Sequence, residues 1–588
     1  MSGVSSIDLA VIAVYLLAVL GVGLYQALKI RTTGDYYAGG RKFNKFYLMM
    51  HALGTASHAD EPVSVIGGAY EKGLSGIWYT YLYLPLTPIF WLLAPYIRRS
   101  RFVTSADFFR ARYDGSLAIL YAIVGVLKMS VAIGVGLKGT ATIVDSISGG
   151  AIDQRWAIFA MTAVFVAYGV AGGLRATVVT ESIQGPLIVL MSLLLLPFAL
   201  HAVGGFAGLH RATPPDLVSL TAPGLEFTPQ WIAVASVTAL VGFVAQPGIL
   251  AAFASGKTEL EGRIGYTYGT MIKRFCAIGW VFTGVALVGL VAKGHVAPAT
   301  AAKLHKNREL AFGAAMQALL PHGMLGLMFA AVFATQMATL SSQMVNASAL
   351  ASRNLYHNVF RPRASDREVL WVGRLLGLFL VAIGVYLALA LGRVANALTM
   401  LLQFSAIMGV VVWAGVLWRR ANVAGAWTAV AILLFVWGFF GPIGMLVKQS
   451  ADGPAPYDAK PPREEPMRLP QRERMPTIMG IYGREKYLAE VMIVSGPPAV
   501  AGLIIVSLLT RPQPKKQLDD FFLLLRTPVG QEQRLIDAGV PIVYAGSTKP
   551  NWLEEHHPKL VHWGGFMVAV VICILILGLL KLLAGIGS

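Results

Sequence analysis

In the stretch HADEP, three side chains, His58, Asp60 and Glu61, bring chemistry into an otherwise apolar neighbourhood, and Pro62 follows directly. A carboxylate in such a place can neutralise a bound cation, accept a proton, or pair with a basic group on a solute. A charge at the bilayer centre costs about 2.5–3.5 kcal/mol on insertion scales, so such residues face a partner or a wet cavity. Pro62 removes a backbone donor and disfavours a helical conformation at Glu61, which predicts a locally opened helix. A second interruption stands in VGFVAQPGILAAF, where Gln246, Pro247 and Gly248 fall near the middle of an apolar run. Lys128, mid-run in AIVGVLKMSVAIGVGLK, places an ammonium that needs a counter-ion, for which Asp60 or Glu61 would serve. Glu181 and Gln184, three residues apart, share one helix face, where they line an exit or simply cap and pack.

The elements that must position these groups are membrane spans. Of the 588 residues, 56% are hydrophobic and only 13% are charged, with a mean hydropathy of +0.63. Soluble domains average about 25% charged residues. Fourteen apolar runs approach the roughly 20 residues that cross a hydrocarbon core. Those that matter most here lie near 46–70, 116–146, 155–173, 178–204, 229–254, 267–293 and 321–350. The chain is expected to be an all-α polytopic protein of the plasma (inner) membrane, with both termini outside. The net charge of +18 sits mostly in short loops such as RRSRF and RPQPKK, a topology signal rather than a nucleic-acid footprint. Cys276 and Cys573 lie in apolar runs, so no disulfide framework is expected. MSGVSSID lacks the basic start of a cleavable signal. The proline-rich loop 449–487 reads as an extended external connector, and 511–557 as a cytoplasmic segment whose LDDFFLLLR is amphipathic and suited to the membrane interface.

The two interruptions matter as a pair. Five spans separate the start of one broken run from the start of the other, the pattern of a transporter built from inverted repeats with its site at the breaks. No metal-ligand cluster, phosphate-cradling glycine loop or nucleophile elbow is evident, which argues against an enzyme and predicts no cofactor.

Four segments, in order, carry a resemblance to the sodium/solute symporter family. GDYYAGGRK resembles its D-Y-[FY]-x-[AG]-G-R loop. Tyr168, Gly172, Gly173, Leu174, Thr180, Glu181 and Gln184 resemble its Y…GGL…T-D-x-x-Q signature, with Glu in place of Asp. AQPGILAAF resembles G-Q-P-H-I-L-x-R-F, and TLSSQMVNASALASRNLYH resembles the segment closing the eighth core helix. The resemblance implies a LeuT-type five-plus-five inverted repeat, with one extra N-terminal span in 1–45. The first repeat would occupy 46–204, the second 229–418, and extra spans 419–588. It implies sodium at the carbonyls of Ala56 and Ala59 on the first core helix and at Thr335, Ala338 and Thr339 on the eighth. Ala338 supplies no hydroxyl, where the family usually has serine. It places the solute near Ser57, His58, Asp60, Glu61, Lys128, Gln246 and Pro247. His58 takes the position where proline-type members carry an aspartate.

The expected function is sodium-coupled symport of a small polar solute into the cell by alternating access. Two alternatives stand beside it. One is a proton-coupled or sodium-independent transporter using Asp60 or Glu61, and the other a transporter-like solute sensor or accessory subunit. Solute identity and oligomeric state stay open.

Overall fold

A computed structural model describes residues 5–58, 60–148, 153–221, 227–390, 407–440, 484–547 and 549–586. Ala59, the side chain of Asp60, the start of the tenth core span and nearly all of loop 449–487 lie outside the described residues. Within them the chain is helical, apart from an isolated bridge between Phe43 and Gly256.

Seven described helices are long and apolar enough to cross a membrane, and the bent pair Pro229–Phe243 and Pro247–Ala254 makes an eighth. Fourteen separate spans are not visible as such, for two physical reasons. The first core helix is divided into Lys45–Ala56 and Asp60–Lys72, each too short to span alone. The runs at 155–173 and 178–204 form one continuous element, Gln154–Val203, whose direction changes at Gly173.

Gly173 explains the GGL motif. Its backbone (φ 55°, ψ −149°) lies where L side chains are essentially excluded, and a Cβ there would sit 2.5 Å from Tyr36. Tyr36 comes from GDYYAGGRK, so the two motifs meet in space, and its hydroxyl donates to the Val170 carbonyl at 3.1 Å.

The seventh core helix, Glu259–Ala292, runs along the first on both sides of its break. Gly269 lets it approach the Met49 carbonyl, and Gly284 the Ile66 carbonyl; a Cβ at either glycine would lie 2.5 Å from that oxygen. Small residues at such seams bring helix backbones close in a bilayer.

The basic loops do more than mark topology. Arg98, Arg101 and Arg112 are fully buried. Arg112 donates to the carbonyls of Gly415 (2.7 Å) and Trp418 (2.9 Å) at the end of a neighbouring helix, where carbonyls run out of intrahelical donors. Arg101 holds the C-terminal segment through Thr527 and Pro528 carbonyls and Glu532 (3.0, 2.9 and 2.8 Å). Helix Lys515–Arg526 accordingly buries Leu518, Phe521, Leu524 and Leu525, and its cluster includes Phe102, Leu250 and Ala254. Its apolar face is covered by protein, where the sequence predicted the membrane interface.

Candidate functional site

The first core helix opens three residues earlier than its carboxylates suggest. It ends at Ala56, Ser57 is extended (φ −99°, ψ 96°), and helix resumes at Asp60. Pro62 therefore sits in the first turn of the second half, where a missing N–H costs nothing. The opening frees carbonyls at the end of the first half. The hydroxyl of Thr339, on helix Met324–Ala349, donates toward Gly54 O at 3.1 Å and Ser57 O at 3.3 Å. It also lies 3.3 Å from the Thr335 carbonyl of its own helix. Three carbonyls and a hydroxyl thus converge, a donor set that suits a hard cation.

Not every expected sodium position contributes alike. The Thr335 hydroxyl is turned to the Ala331 carbonyl (2.8 Å), and the Ala338 carbonyl accepts from Ser341 (3.1 Å). The Ala56 carbonyl accepts from the ammonium of Lys273 on the seventh core helix. The same ammonium pairs with Glu61 at 2.5 Å. Glu61 thus takes its counter-ion from Lys273 rather than Lys128. Its second oxygen, Oε2, and the Ser57 hydroxyl are buried without a hydrogen-bond partner among the described residues. Arg274, the next residue, donates to Thr80 Oγ1 at 2.7 Å and lies in the field of Glu61.

Lys273 and Arg274 were missed because the sequence predicts this span from 267, so both look like basic residues at its edge. The helix begins at Glu259 instead, which puts Lys273 about four turns inside it. A readable signal existed: Thr258 and Glu261 form a capping box, the T-x-x-E spacing that marks a helix start.

The second break spans Val244–Gln246, and the two halves bend by 68°. Tyr83, from the second core span, presents its ring to the Arg274 guanidinium at 5.6 Å. Pro247 packs near the third core helix: a Cβ on Gly125, one turn before Lys128, would be 3.3 Å from its ring. Across from it, Gly248 leaves room for Asn346 of the eighth core helix. The His58 carbonyl accepts from Glu61 N at 3.1 Å and closes the first turn after the break.

Glu181 and Gln184 are fully buried rather than exposed at an exit. The Glu181 carboxylate is hydrogen-bonded to His51 Nδ1 on the first core helix, a partner the sequence did not suggest. Gln184 Nε2 donates to the Tyr15 hydroxyl of the N-terminal helix at 3.1 Å.

Two broken helices, the first offering carbonyl oxygens where it opens, mark the LeuT-type architecture of membrane transporters. The chain belongs to the sodium:solute symporter family, whose family model matches residues 36–432. It is 25% identical over 472 residues to the sodium/proline symporter of Escherichia coli (strain K12), covering 75% of this chain and 90% of that one. It is also 25% identical over 585 residues to the sodium/myo-inositol cotransporter 2 of Oryctolagus cuniculus, covering 91% and 81%. Among solved structures, a substrate-bound, outward-open Na+-coupled sialic acid symporter shares the fold, with a TM-score of 0.70 at 17% identity over 87% of this chain. By that family membership the protein is a multi-pass plasma-membrane symporter coupled to sodium, and not an enzyme.

Proposed function

We propose that the chain carries a small polar solute inward with sodium by alternating access, and that the two breaks form its site. Sodium is assigned to the opening between the first and eighth core helices, at Ala56, Ala59, Thr335, Ala338 and Thr339. The convergence of the Gly54, Ser57 and Thr335 carbonyls on the Thr339 hydroxyl supports this assignment most directly. The solute is assigned to the space between the breaks, bounded by Ser57, His58, Asp60, Glu61, Lys128, Gln246 and Pro247. Glu181 is assigned to the packing that holds the first and fifth core helices together, and Gln184 to the packing of the fifth on the N-terminal helix, as the cytoplasmic path opens and closes. The relatives named above carry an imino acid and a cyclitol, so solutes of that size and polarity are the class to screen.

Uptake into proteoliposomes tests the coupling. An inward sodium gradient is expected to drive accumulation, with none when choline replaces sodium. Equal uptake in choline that disappears when a pH gradient is collapsed overturns the sodium assignment and favours protons. Tight solute binding without counterflow favours a sensor. A thermal-shift screen of amino acids, organic acids and sugars, with and without sodium, identifies the solute class.

A further inference from the structure

Lys273 lies where the sodium reading needs a free oxygen. The Ala56 carbonyl, opened by the break, accepts from its ammonium, and the same ammonium pairs with Glu61 two residues beyond the break. The lysine is buried, whereas Glu61 keeps 21% of its side chain exposed and has an unpartnered Oε2. The seventh core helix is held at this depth by the close approaches at Gly269 and Gly284, so the ammonium cannot retreat by moving the backbone. Its four-carbon stem can still shift the charge from the Ala56 carbonyl toward Glu61.

We propose that Lys273 is a tethered cation that competes with sodium for the Ala56 carbonyl. Without sodium the ammonium bridges Ala56 O and Glu61, which satisfies the opened backbone and keeps the broken helix together. When sodium enters, like-charge repulsion displaces the ammonium from the Ala56 carbonyl toward Glu61, so the carboxylate serves as a receiver and not as a sodium ligand. Two unit charges about 4 Å apart repel strongly even at an effective dielectric of 20, so carbonyl sharing is disfavoured. The consequence is a transporter whose empty site is already charge-balanced and whose sodium affinity is deliberately moderated. This inference rests on the sodium assignment above and adds a residue outside it.

The test is sodium binding by purified protein, read as the sodium dependence of thermal stability and as equilibrium binding of radiolabelled sodium. Choline replaces sodium at constant ionic strength. Lys273→Gln is expected to tighten apparent sodium affinity by about tenfold or more, because the competitor is gone. Glu61→Gln is expected to weaken it several-fold, because the ammonium loses its other acceptor. The double variant is expected to follow Lys273→Gln. A purely structural ion pair predicts weaker or unchanged binding in both single variants, and that result overturns the proposal even while the wild type binds sodium normally. Should Lys273→Gln not fold, unchanged or tighter sodium binding by Glu61→Gln overturns it alone. If neither the wild type nor Lys273→Gln binds sodium, the sodium assignment fails and takes this inference with it.

Discussion

The hydroxyl of Thr339 stands 3.1 Å from the carbonyl of Gly54, a residue 285 positions away in the chain. That contact joins the eighth core helix to the first at the point where the first opens. Thr339→Val keeps the shape and removes the donor oxygen. It is expected to raise the sodium concentration for half-maximal stabilisation by roughly an order of magnitude, while Thr339→Ser stays near wild type. Sodium titrations of the thermal midpoint check both, and equal curves for Val and wild type remove Thr339 from the sodium site.

Gly173→Ala tests the turn between the fourth and fifth core helices. The substitution forces a Cβ to within 2.5 Å of Tyr36 at a positive φ of 55°. Backbone strain of about 1–3 kcal/mol and a comparable packing penalty should combine. A lower thermal midpoint or loss of monodisperse protein is expected. Tyr36→Ala in the same chain should recover only part of the loss, because the backbone strain stays.

Arg101 tests the clamp on the C-terminal segment. Replacing it with alanine takes the guanidinium donor from the Thr527 carbonyl and from Glu532 Oε1, and leaves the Pro528 carbonyl only Gln531 N. Breaking a buried pair of this kind costs about 3–5 kcal/mol. Residues 515–537 are expected to become sensitive to limited proteolysis in Arg101→Ala, with Arg101→Lys intermediate because it retains charge but not the fork of donors. Unchanged proteolysis contradicts the clamp.

Glu554 gives the same region a pH dependence. Burial, then the nearby Glu259, pushes its carboxyl up from an ordinary 4.5 to about 7, with Arg263 opposing. Its Oε2 accepts from Leu260 N at 2.9 Å, and its Oε1 lies 3.2 Å from Arg263 Nε. The docked carboxyl holds its proton more tightly than the undocked one. Docking is therefore firmest below the undocked value and weakens as pH rises through about 7. Hydrogen exchange at Trp552–His556, corrected for intrinsic rates, should accelerate between about pH 5 and 8 in the wild type, with little pH dependence in Glu554→Gln. A flat wild-type profile contradicts the linkage.

The sequence by itself determined the membrane class, the all-helical fold and the existence of two broken helices. Each rests on local composition. Apolar length, a proline and a misplaced polar group act on the few residues around them, so they can be read along the chain. The motifs DYYAGGR and GGL were legible only as a resemblance to a known family; the positive φ that explains the glycine at 173 came from the tertiary structure. Tertiary structure alone decided who meets whom. It moved the break to Ser57, gave Glu61 the ammonium of Lys273 instead of Lys128, and buried His51 against Glu181. It also turned the loop arginines from topology markers into caps for carbonyls of distant segments. A counter-ion is chosen by which charge the packing brings within about 4 Å, and residues 212 positions apart share no periodicity that could announce it.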